Sequence, residues 1–197
     1  MRSRFDEQLA QLNREMIEMG AQCEEVIALA SKALTEADMK LAAKVAPLSA
    51  DIDRKEREIE ALCLRLLLQQ QPVARDLRQI SAALKMITDL ERIGDQAEEI
   101  ADIIGFIDGH NPEDYITLTE MAKAAIHMVT ESIDAYVKHD TILAEKVVDE
   151  DDIVDEYFLQ VKSKLIAKIA ENPDDGEYAL DLLMIAKYFE RIGDHAV

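Results

Sequence analysis

Apolar residues recur at helical spacing along most of this 197-residue chain. Between positions 39 and 70 one apolar stripe advances in steps of three, four or seven residues and consists of Val45, Ile52, Ile59, Cys63 and Leu66. Between positions 141 and 171 a second stripe of the same kind consists of Val147, Val154, Phe158, Val161, Leu165 and Ile169. Such steps keep the apolar residues on one face of an α-helix. The pattern therefore predicts long amphipathic helices.

Residues that interrupt helices are few, and they divide the chain into six predicted helices. Asp38 and Asp140 are suitable N-caps, Pro72 is placed to start a helix, and loops are expected at 109–112 and 172–176. We therefore predict helices over 3–34, 39–70, 73–107, 113–138, 141–171 and 175–197. The predicted fold class is all-α.

The two halves of the chain repeat each other. An offset of 102 residues, as from Asp38 to Asp140, matches further identical residues: Ala33, Ala42, Lys44, Val45 and Asp53 with Ala135, Ala144, Lys146, Val147 and Asp155. At an offset of 99 residues, Glu91-Arg-Ile-Gly-Asp95 is identical to Glu190-Arg-Ile-Gly-Asp194. A period of about 100 residues is too long for a solenoid and fits two three-helix bundles in tandem. We assign the first repeat to 1–109 and the second to 110–197.

The second repeat is shorter after its motif. The first motif is followed by a helical stretch from Gln96 to Ile107, whereas the sequence stops at Val197, soon after the second motif. We expect the full-length protein to continue this helix, so that the second repeat is C-terminally truncated here.

The chain is strongly acidic, with 41 Asp and Glu residues against 22 Lys and Arg and a formal net charge of −19. Such a surface repels phosphate backbones and anionic lipids, so nucleic acid is not an expected partner and cations or basic protein surfaces are favoured. No stretch approaches the roughly 20 apolar residues of a membrane span, and the first residues do not form a signal peptide, so no direct membrane insertion is expected. The isolated Cys23 and Cys63 fit reduced thiols in the cytoplasm.

Acidic residues interrupt the apolar stripes, where an ionised and unpaired carboxylate is costly. On the second predicted helix the acid Glu56 and the polar Ser49 lie inside the stripe, with the acid Asp53 near its edge. On the fifth predicted helix Asp151 and Asp155 lie on the stripe or at its edge. These acids therefore need basic partners or a cation.

The repeated Glu-Arg-Ile-Gly-Asp motif supplies further carboxylates. Glu91 and Asp95 are four residues apart and share a helix face, as do Glu190 and Asp194. A glycine inside a helix lowers its stability by about 1 kcal/mol relative to alanine, so the glycine of the motif indicates close packing or an ion site. Together with the acids of the preceding helix, the motif predicts a metal site with oxygen ligands in each repeat.

The predicted metal ligands are Asp53, Glu91 and Asp95 in the first repeat and Asp151, Asp155, Glu190 and Asp194 in the second. Carboxylate ligands favour divalent or ferric ions such as Mg, Mn, Fe or Ca, whereas Zn prefers His or Cys. Ser49 stands where the repeat predicts an acid, so we expect the second repeat to have the better ligand set.

The residues alone leave two other interpretations open. The acids can form a solvated stripe or pair with Arg92 and Arg191, which would make the chain a structural helical scaffold. A carboxylate-bridged metalloenzyme is the second alternative, but the Glu-x-x-His pairs of di-iron bundles are absent, and His110, His127 and His139 show no ligand spacing. Because nucleophile motifs and phosphate-binding loops are also absent, we predict that the chain is not an enzyme.

In its motifs the chain resembles the PhoU family, the accessory and regulatory proteins of bacterial phosphate-specific transport. The resemblance rests on Cys63-Leu-Arg-Leu66, Gln71-Pro-Val-Ala-Arg-Asp-Leu77, Leu90-Glu-Arg-Ile-Gly-Asp95 and Phe189-Glu-Arg-Ile-Gly-Asp-His-Ala196, in the family's order. It spans nearly the whole chain, and the paired motif is far more specific than a single Glu-x-x-x-Asp.

The resemblance implies two three-helix bundles in a cytoplasmic homodimer that acts as a negative regulator of the phosphate-starvation response. It implies an adaptor between the ATPase subunit of the phosphate ABC transporter and the phosphate sensor histidine kinase, which restrains the kinase and phosphate uptake when phosphate is plentiful. It also implies metal binding through Glu/Asp-x-x-x-Asp motifs, which correspond here to Glu91/Asp95, Asp151/Asp155 and Glu190/Asp194. On the second predicted helix Ser49 replaces the first acid, so only Asp53 matches.

Overall fold

The computed structural model describes residues 2–70, 72–109 and 111–197. Within these ranges the chain forms seven α-helices, two short 3-10 turns at Pro112–Tyr115 and Pro173–Asp175, and no strand. The helices are α1 (Arg2–Glu36), α2 (Met39–Ala42), α3 (Val45–Gln70), α4 (Ala74–Ile104), α5 (Ile116–Lys138), α6 (Thr141–Glu171) and α7 (Gly176–Ala196). The predicted all-α fold class is confirmed. Gln71, the first residue of the string from Gln71 to Leu77, and His110, at the predicted domain boundary, lie outside the described residues.

The prediction of a single helix over 39–70 is wrong, because a turn at Ala43 and Lys44 divides this stretch into α2 and α3. Pro47 explains the break. It has no N–H to donate to the carbonyl of Ala43, and its ring does not fit inside an uninterrupted helix. The N–H of Lys44 donates to the Leu41 carbonyl at 3.0 Å, which tightens the chain into a turn. The other predicted boundaries lie within three residues of the observed ones.

The predicted aspartate caps are confirmed, and both belong to the same repeated turn. Asp38 accepts hydrogen bonds from the N–H groups two and three residues ahead, at 2.8 and 3.2 Å, and Asp140 accepts one from three residues ahead at 3.0 Å. The preceding residues, Ala37 and His139, have positive φ angles of 50° and 55°. The left-handed backbone conformation is therefore the same in both repeats, although the residue is alanine in the first and histidine in the second.

Each repeat forms a three-helix bundle, in which α1, α3 and α4 contact one another and α5, α6 and α7 do the same. The two bundles pack through α1 against α5 and through α4 against α7, and one continuous hydrophobic core extends through both. The approach of α1 to α5 is close at Gly20, where a Cβ atom would lie 2.7 Å from Cγ1 of Ile133.

The apolar stripes predicted from the sequence form the cores of the bundles. The α3 stripe is buried, and Ser49 within it is 1% exposed. On α6 the stripe is buried at Val147, Val154, Val161 and Leu165 and half-buried at Phe158 and Ile169. No described helix combines the length and the apolar content that crossing a bilayer requires.

Candidate metal centres

The motif helices α4 and α7 each approach the preceding helix at the glycine of the motif. A Cβ atom on Gly94 would lie 3.3 Å from Ser49 Oγ and from Ile52 Cδ1 on α3. A Cβ atom on Gly193 would lie 3.1 Å from Asp151 Oδ1 on α6. Because glycine has no Cβ, the two helices can pack closely here, and the acids of the motif are placed beside those of the preceding helix.

In the first repeat, three of the predicted ligands come together. Asp53 on α3 and Glu91 and Asp95 on α4 each offer a carboxylate oxygen, and the three oxygens lie within 4.8 Å of one another. All three residues are half-buried, and Oδ1 of Asp53 is buried with no hydrogen-bond partner among the described residues. Three converging carboxylates, one of which also has a buried and unsatisfied oxygen, fit a hard cation.

The carboxylates of this first site repel one another. Burial raises the pKa of Glu91, and the charges of Asp95, Asp53 and Glu56 raise it further. Burial also raises the pKa of Glu56, with added repulsion from Glu60 and Asp53. A cation held by the three oxygens would offset this repulsion.

Arg92 gives the same acids a partial alternative to a metal. Its guanidinium lies 3.2 Å from Asp95 Oδ2 and 3.7 Å from Glu91 Oε2, and the arginine side chain is 56% exposed. Solvent therefore weakens these ion pairs. Its counterpart Arg191 lies over the ring of Tyr188, with Cζ 5.7 Å from the ring centroid. The interpretation of the acids as a solvated stripe paired with arginine therefore has support in the first repeat, where Arg92 pairs with both acids of the motif.

In the second repeat, Asp151 is the acid against which α7 packs. Its Oδ1 is buried and has no hydrogen-bond partner among the described residues. Burial, followed by the charges of Asp155 and Asp194, raises the pKa of Asp151 from 3.8 to about 6. Asp155 is half-buried and Asp194 is exposed. The buried oxygen and its acidic neighbours fit a cation in this repeat as well.

Lys187 distinguishes the second repeat from the first. It pairs with Glu190 Oε2, and its Nζ lies 5.3 Å from the centroid of the Phe158 ring. Thr88 occupies the equivalent position of the first repeat, at the offset of 99 residues, and cannot supply this charge to Glu91. Among the described residues, the four predicted ligands of the second repeat do not bring three oxygens within 4.8 Å of one another. The geometry therefore favours the first ligand set, although the sequence led us to expect the second to be better.

One further group is missing from the sequence predictions. His127 and Glu131 on α5 and Glu150 on α6 bring three possible ligand atoms within 4.8 Å. Lys146 Nζ lies between the acids, 2.7 Å from Glu131 and 3.1 Å from Glu150, and its hydrogen bond lowers the pKa of Glu131. The four-residue spacing of His127 and Glu131 is the sequence signal that points to the group. Because Lys146 Nζ lies within ion-pair distance of both acids, we interpret the group as an ion-paired contact between α5 and α6.

A family model described as PhoU domain matches the chain twice, at residues 16–104 and 118–197. The two matches fall on the two repeats, and they confirm the internal duplication predicted from the paired motif.

Curated relatives match over nearly the whole chain. A phosphate-specific transport system accessory protein PhoU homolog from Aquifex aeolicus is 35% identical over 185 residues, which covers 93% of this chain and 84% of that protein. The protein of the same name from Pseudomonas aeruginosa is 33% identical over 194 residues, covering 98% of this chain and 80% of that protein.

Solved structures share the fold. The crystal structure of PhoU from Pseudomonas aeruginosa matches with a TM-score of 0.91 at 32% identity and covers 98% of this chain and 93% of that one. The phosphate transport system regulatory protein PhoU from Streptococcus pneumoniae matches with a TM-score of 0.87 at 24% identity, covering 98% and 91%, which is a likeness of fold alone.

Proposed function

The chain belongs to the PhoU family, and on this basis we propose that it is a negative regulator of the bacterial phosphate-starvation response. The observation that carries the proposal is the match of both repeats to PhoU domains and of nearly the whole chain to accessory proteins of phosphate-specific transport. The proposed partners are the ATPase subunit of the phosphate ABC transporter and the phosphate sensor histidine kinase. We propose that the protein acts as a cytoplasmic homodimer and modulates phosphate uptake.

A binding role suits the physical character of the molecule. The net charge of −19 favours association with basic protein surfaces and speeds their encounter. Long helices with one shared core give a rigid body that can present two surfaces at once. The candidate sites offer carboxylate oxygens, which suit ion binding, and we propose an adaptor and not an enzyme.

We propose that divalent or ferric metal ions bind at the carboxylate sites, with Fe, Mn, Mg and Zn as the candidate metals. In the first repeat Asp53, Glu91 and Asp95 would hold the ion, and in the second Asp151, Asp155, Glu190 and Asp194 would do so. A bound cation would supply positive charge between two helices of each bundle and hold their acids in place. The support is the convergence of oxygens in the first repeat and the unsatisfied buried oxygen in both.

The regulatory proposal is tested by deleting the gene in the organism that encodes it, with an alkaline phosphatase reporter of the starvation response. We expect the reporter to become active in phosphate-rich medium and to be repressed again when the gene is restored. Co-purification of the tagged protein with the transporter ATPase and the kinase then tests the partners. Normal phosphate control in the deletion strain would refute the regulatory proposal.

The metal proposal is tested on purified protein that is stripped with a chelator and dialysed against Mn²⁺, Fe²⁺, Mg²⁺ or Zn²⁺. The combined change Glu91→Ala and Asp95→Ala should lower the bound metal, because it removes two of three converging oxygens. Glu98→Ala with Asp102→Ala is the matched control, since these acids have the same four-residue spacing on the same helix.

The second repeat is tested by Glu190→Ala with Asp194→Ala. Equal metal content in the wild type and in both motif variants would contradict the metal proposal. Turnover of a phosphoester by the metal-loaded protein would instead favour the carboxylate-bridged metalloenzyme.

A further inference from the structure

The second carboxylate site contains a positive charge that belongs to the chain itself. Lys187 on α7 pairs with Oε2 of Glu190, three residues later on the same helix, and the Glu190 side chain is only 14% exposed. The same ammonium nitrogen lies 5.3 Å from the centroid of the Phe158 ring on α6. Lys187 therefore contacts both of the helices that carry the predicted metal ligands of this repeat.

The lysine takes a role that the motif arginine has in the first repeat. Arg92 pairs with both acids of the first motif, and its side chain is 56% exposed. Arg191 instead lies over the ring of Tyr188 and forms no ion pair with an acid among the described residues. Because the Lys187 side chain is 39% exposed, the counter-charge of the second repeat is less open to solvent than that of the first.

Both groups that contact this ammonium ion's position differ between the repeats. At the offset of 99 residues Thr88 replaces Lys187, and at the offset of 102 residues Glu56 replaces Phe158. The first repeat thus has an additional acid, whose charge helps to raise the pKa of Glu91, and no lysine. The second repeat has a lysine together with an aromatic ring that attracts it. The two differences are complementary in charge, which indicates that the lysine and the ring act together.

The pairing of Lys187 competes with a metal ion for Glu190. A divalent cation would need carboxylate oxygens as ligands and would repel an ammonium group bound to one of them. The ammonium of Lys187 must therefore leave Glu190 before that carboxylate can complete a ligand set. The face of the Phe158 ring is already within reach and offers a second favourable position for the charge.

We propose that Lys187 is an internal counter-cation that controls ion binding in the second repeat. Without a metal ion its ammonium pairs with Glu190, and when a divalent ion binds, the ammonium leaves Glu190 and stays on the ring of Phe158. This inference rests on the proposed metal binding at the carboxylate sites and makes the two repeats unequal. The first repeat, with threonine at the equivalent position, should bind the ion at a lower concentration than the second.

The test measures Mn²⁺ binding to the second repeat alone, by calorimetry on chelator-stripped protein. The first site is removed by Glu91→Ala with Asp95→Ala, and Lys187→Met is then added to this background. We expect the affinity for Mn²⁺ to rise on the order of tenfold, because the competing charge is gone while the apolar part of the side chain remains. Lys162→Met is the matched control. This exposed lysine of α6 has no ion pair among the described residues, so its loss should change the affinity by less than about twofold.

The reciprocal change introduces the lysine into the first repeat. In the background Glu190→Ala with Asp194→Ala, Thr88→Lys should lower the Mn²⁺ affinity of the first site on the order of tenfold, because the new ammonium lies three residues before the motif glutamate, as in the second repeat. Thr88→Met is the control for side-chain length and should leave the affinity close to that of the background. Far-UV circular dichroism verifies that each variant is folded.

Three outcomes would overturn the proposal. An affinity that is the same with and without Lys187 would show that the lysine does not compete with the ion, and a lower affinity in Lys187→Met would show that it supports the bound ion. Absence of Mn²⁺ binding in every form would overturn the metal proposal together with this inference. Binding that does not respond to Lys187→Met or Thr88→Lys would overturn this inference alone, and the metal proposal would stand.

Discussion

Replacing Asp151 with asparagine tests whether the second carboxylate site is strained when no cation is bound. The pKa of Asp151 is raised from 3.8 to about 6 by burial and by Asp155 and Asp194, so the folded protein binds this proton more tightly than the unfolded chain does. Ionisation of Asp151 therefore lowers stability. The loss is absent below about pH 4, develops between about pH 4 and pH 6, and is complete at pH 7.

The size of this effect follows from the shift. A rise of roughly two pKa units corresponds to a ceiling of about 3 kcal/mol. Asp151 is only partly buried, and solvent screening reduces the expected gain for Asp151→Asn at pH 7 to about 1 kcal/mol. For a chain of this size that is a rise of about 2–4 °C in the unfolding midpoint.

The assay is thermal and urea unfolding of the wild type and Asp151→Asn in a chelator between pH 4 and pH 7. We expect the variant to be more stable at pH 7 and the difference to vanish near pH 4. Asp152→Asn, an exposed neighbour on the same helix, should show no such difference. If Mn²⁺ is added at pH 7, the wild type should gain more than Asp151→Asn, because only the wild type offers this carboxylate oxygen to the cation.

Two results would refute the reasoning. In the first, Asp151→Asn is less stable than the wild type at pH 7 in the chelator, which would mean that the ionised carboxylate has a stabilising partner. In the second, the stability difference stays constant with pH, which would mean that the carboxylate titrates alike in the folded and unfolded protein.

Three further predictions concern packing and charge elsewhere. Gly20→Ala should lower the free energy of unfolding, measured in urea, by about 1–3 kcal/mol, because the added methyl group would overlap an isoleucine of α5. Gly176→Ala is the control and should not destabilise the protein, since the space at its Cβ position is open. Lys55→Met should lower the unfolding free energy by about 1–3 kcal/mol, because the lysine side chain is only 11% exposed and its ammonium lies 2.8 and 3.0 Å from two carboxylates of α1. Arg54→Met is the control, and because the Arg54 side chain is exposed it should change stability by less than about 1 kcal/mol. Ser49→Asp would place an acid where the second repeat has Asp151. The variant should be less stable than the wild type in a chelator and should bind Mn²⁺ more tightly, as measured by calorimetry. An unchanged affinity would contradict the assignment of the first site.

The helices and their buried faces could be predicted because the information is local. Apolar steps of three and four residues identify the α3 and α6 stripes, and Asp38 and Asp140 mark two helix starts by their side-chain oxygens. The break between α2 and α3 is also local, and Pro47 is the signal for it. The left-handed Ala37 has no such signal, because its conformation is imposed by the turn into Asp38 and not by its own side chain.

The docking of the two bundles depends on contacts that no local pattern encodes. Nothing in the sequence around Gly20 shows why a glycine is needed there. The reason is the contact with α5, which leaves no room for a Cβ atom at this position. The cluster around Lys146 likewise requires α5 and α6 to be adjacent before His127 and Glu150 can meet. Such contacts follow from the fold and cannot be inferred from spacing along one helix.

The paired motif shows why identical residues do not give identical sites. The five residues of the motif are the same in both repeats, and the two sites differ at neighbouring positions. The first repeat has Ser49 and Thr88, and the second has Asp151 and Lys187. Lys187 pairs with Glu190, and the second repeat has Phe158 where the first has Glu56 at the offset of 102 residues. In the first repeat three carboxylate oxygens converge, whereas among the described residues of the second repeat the predicted ligands do not bring three together. Any difference in cation affinity between the repeats should therefore follow these neighbouring positions, because the motif is the same in both.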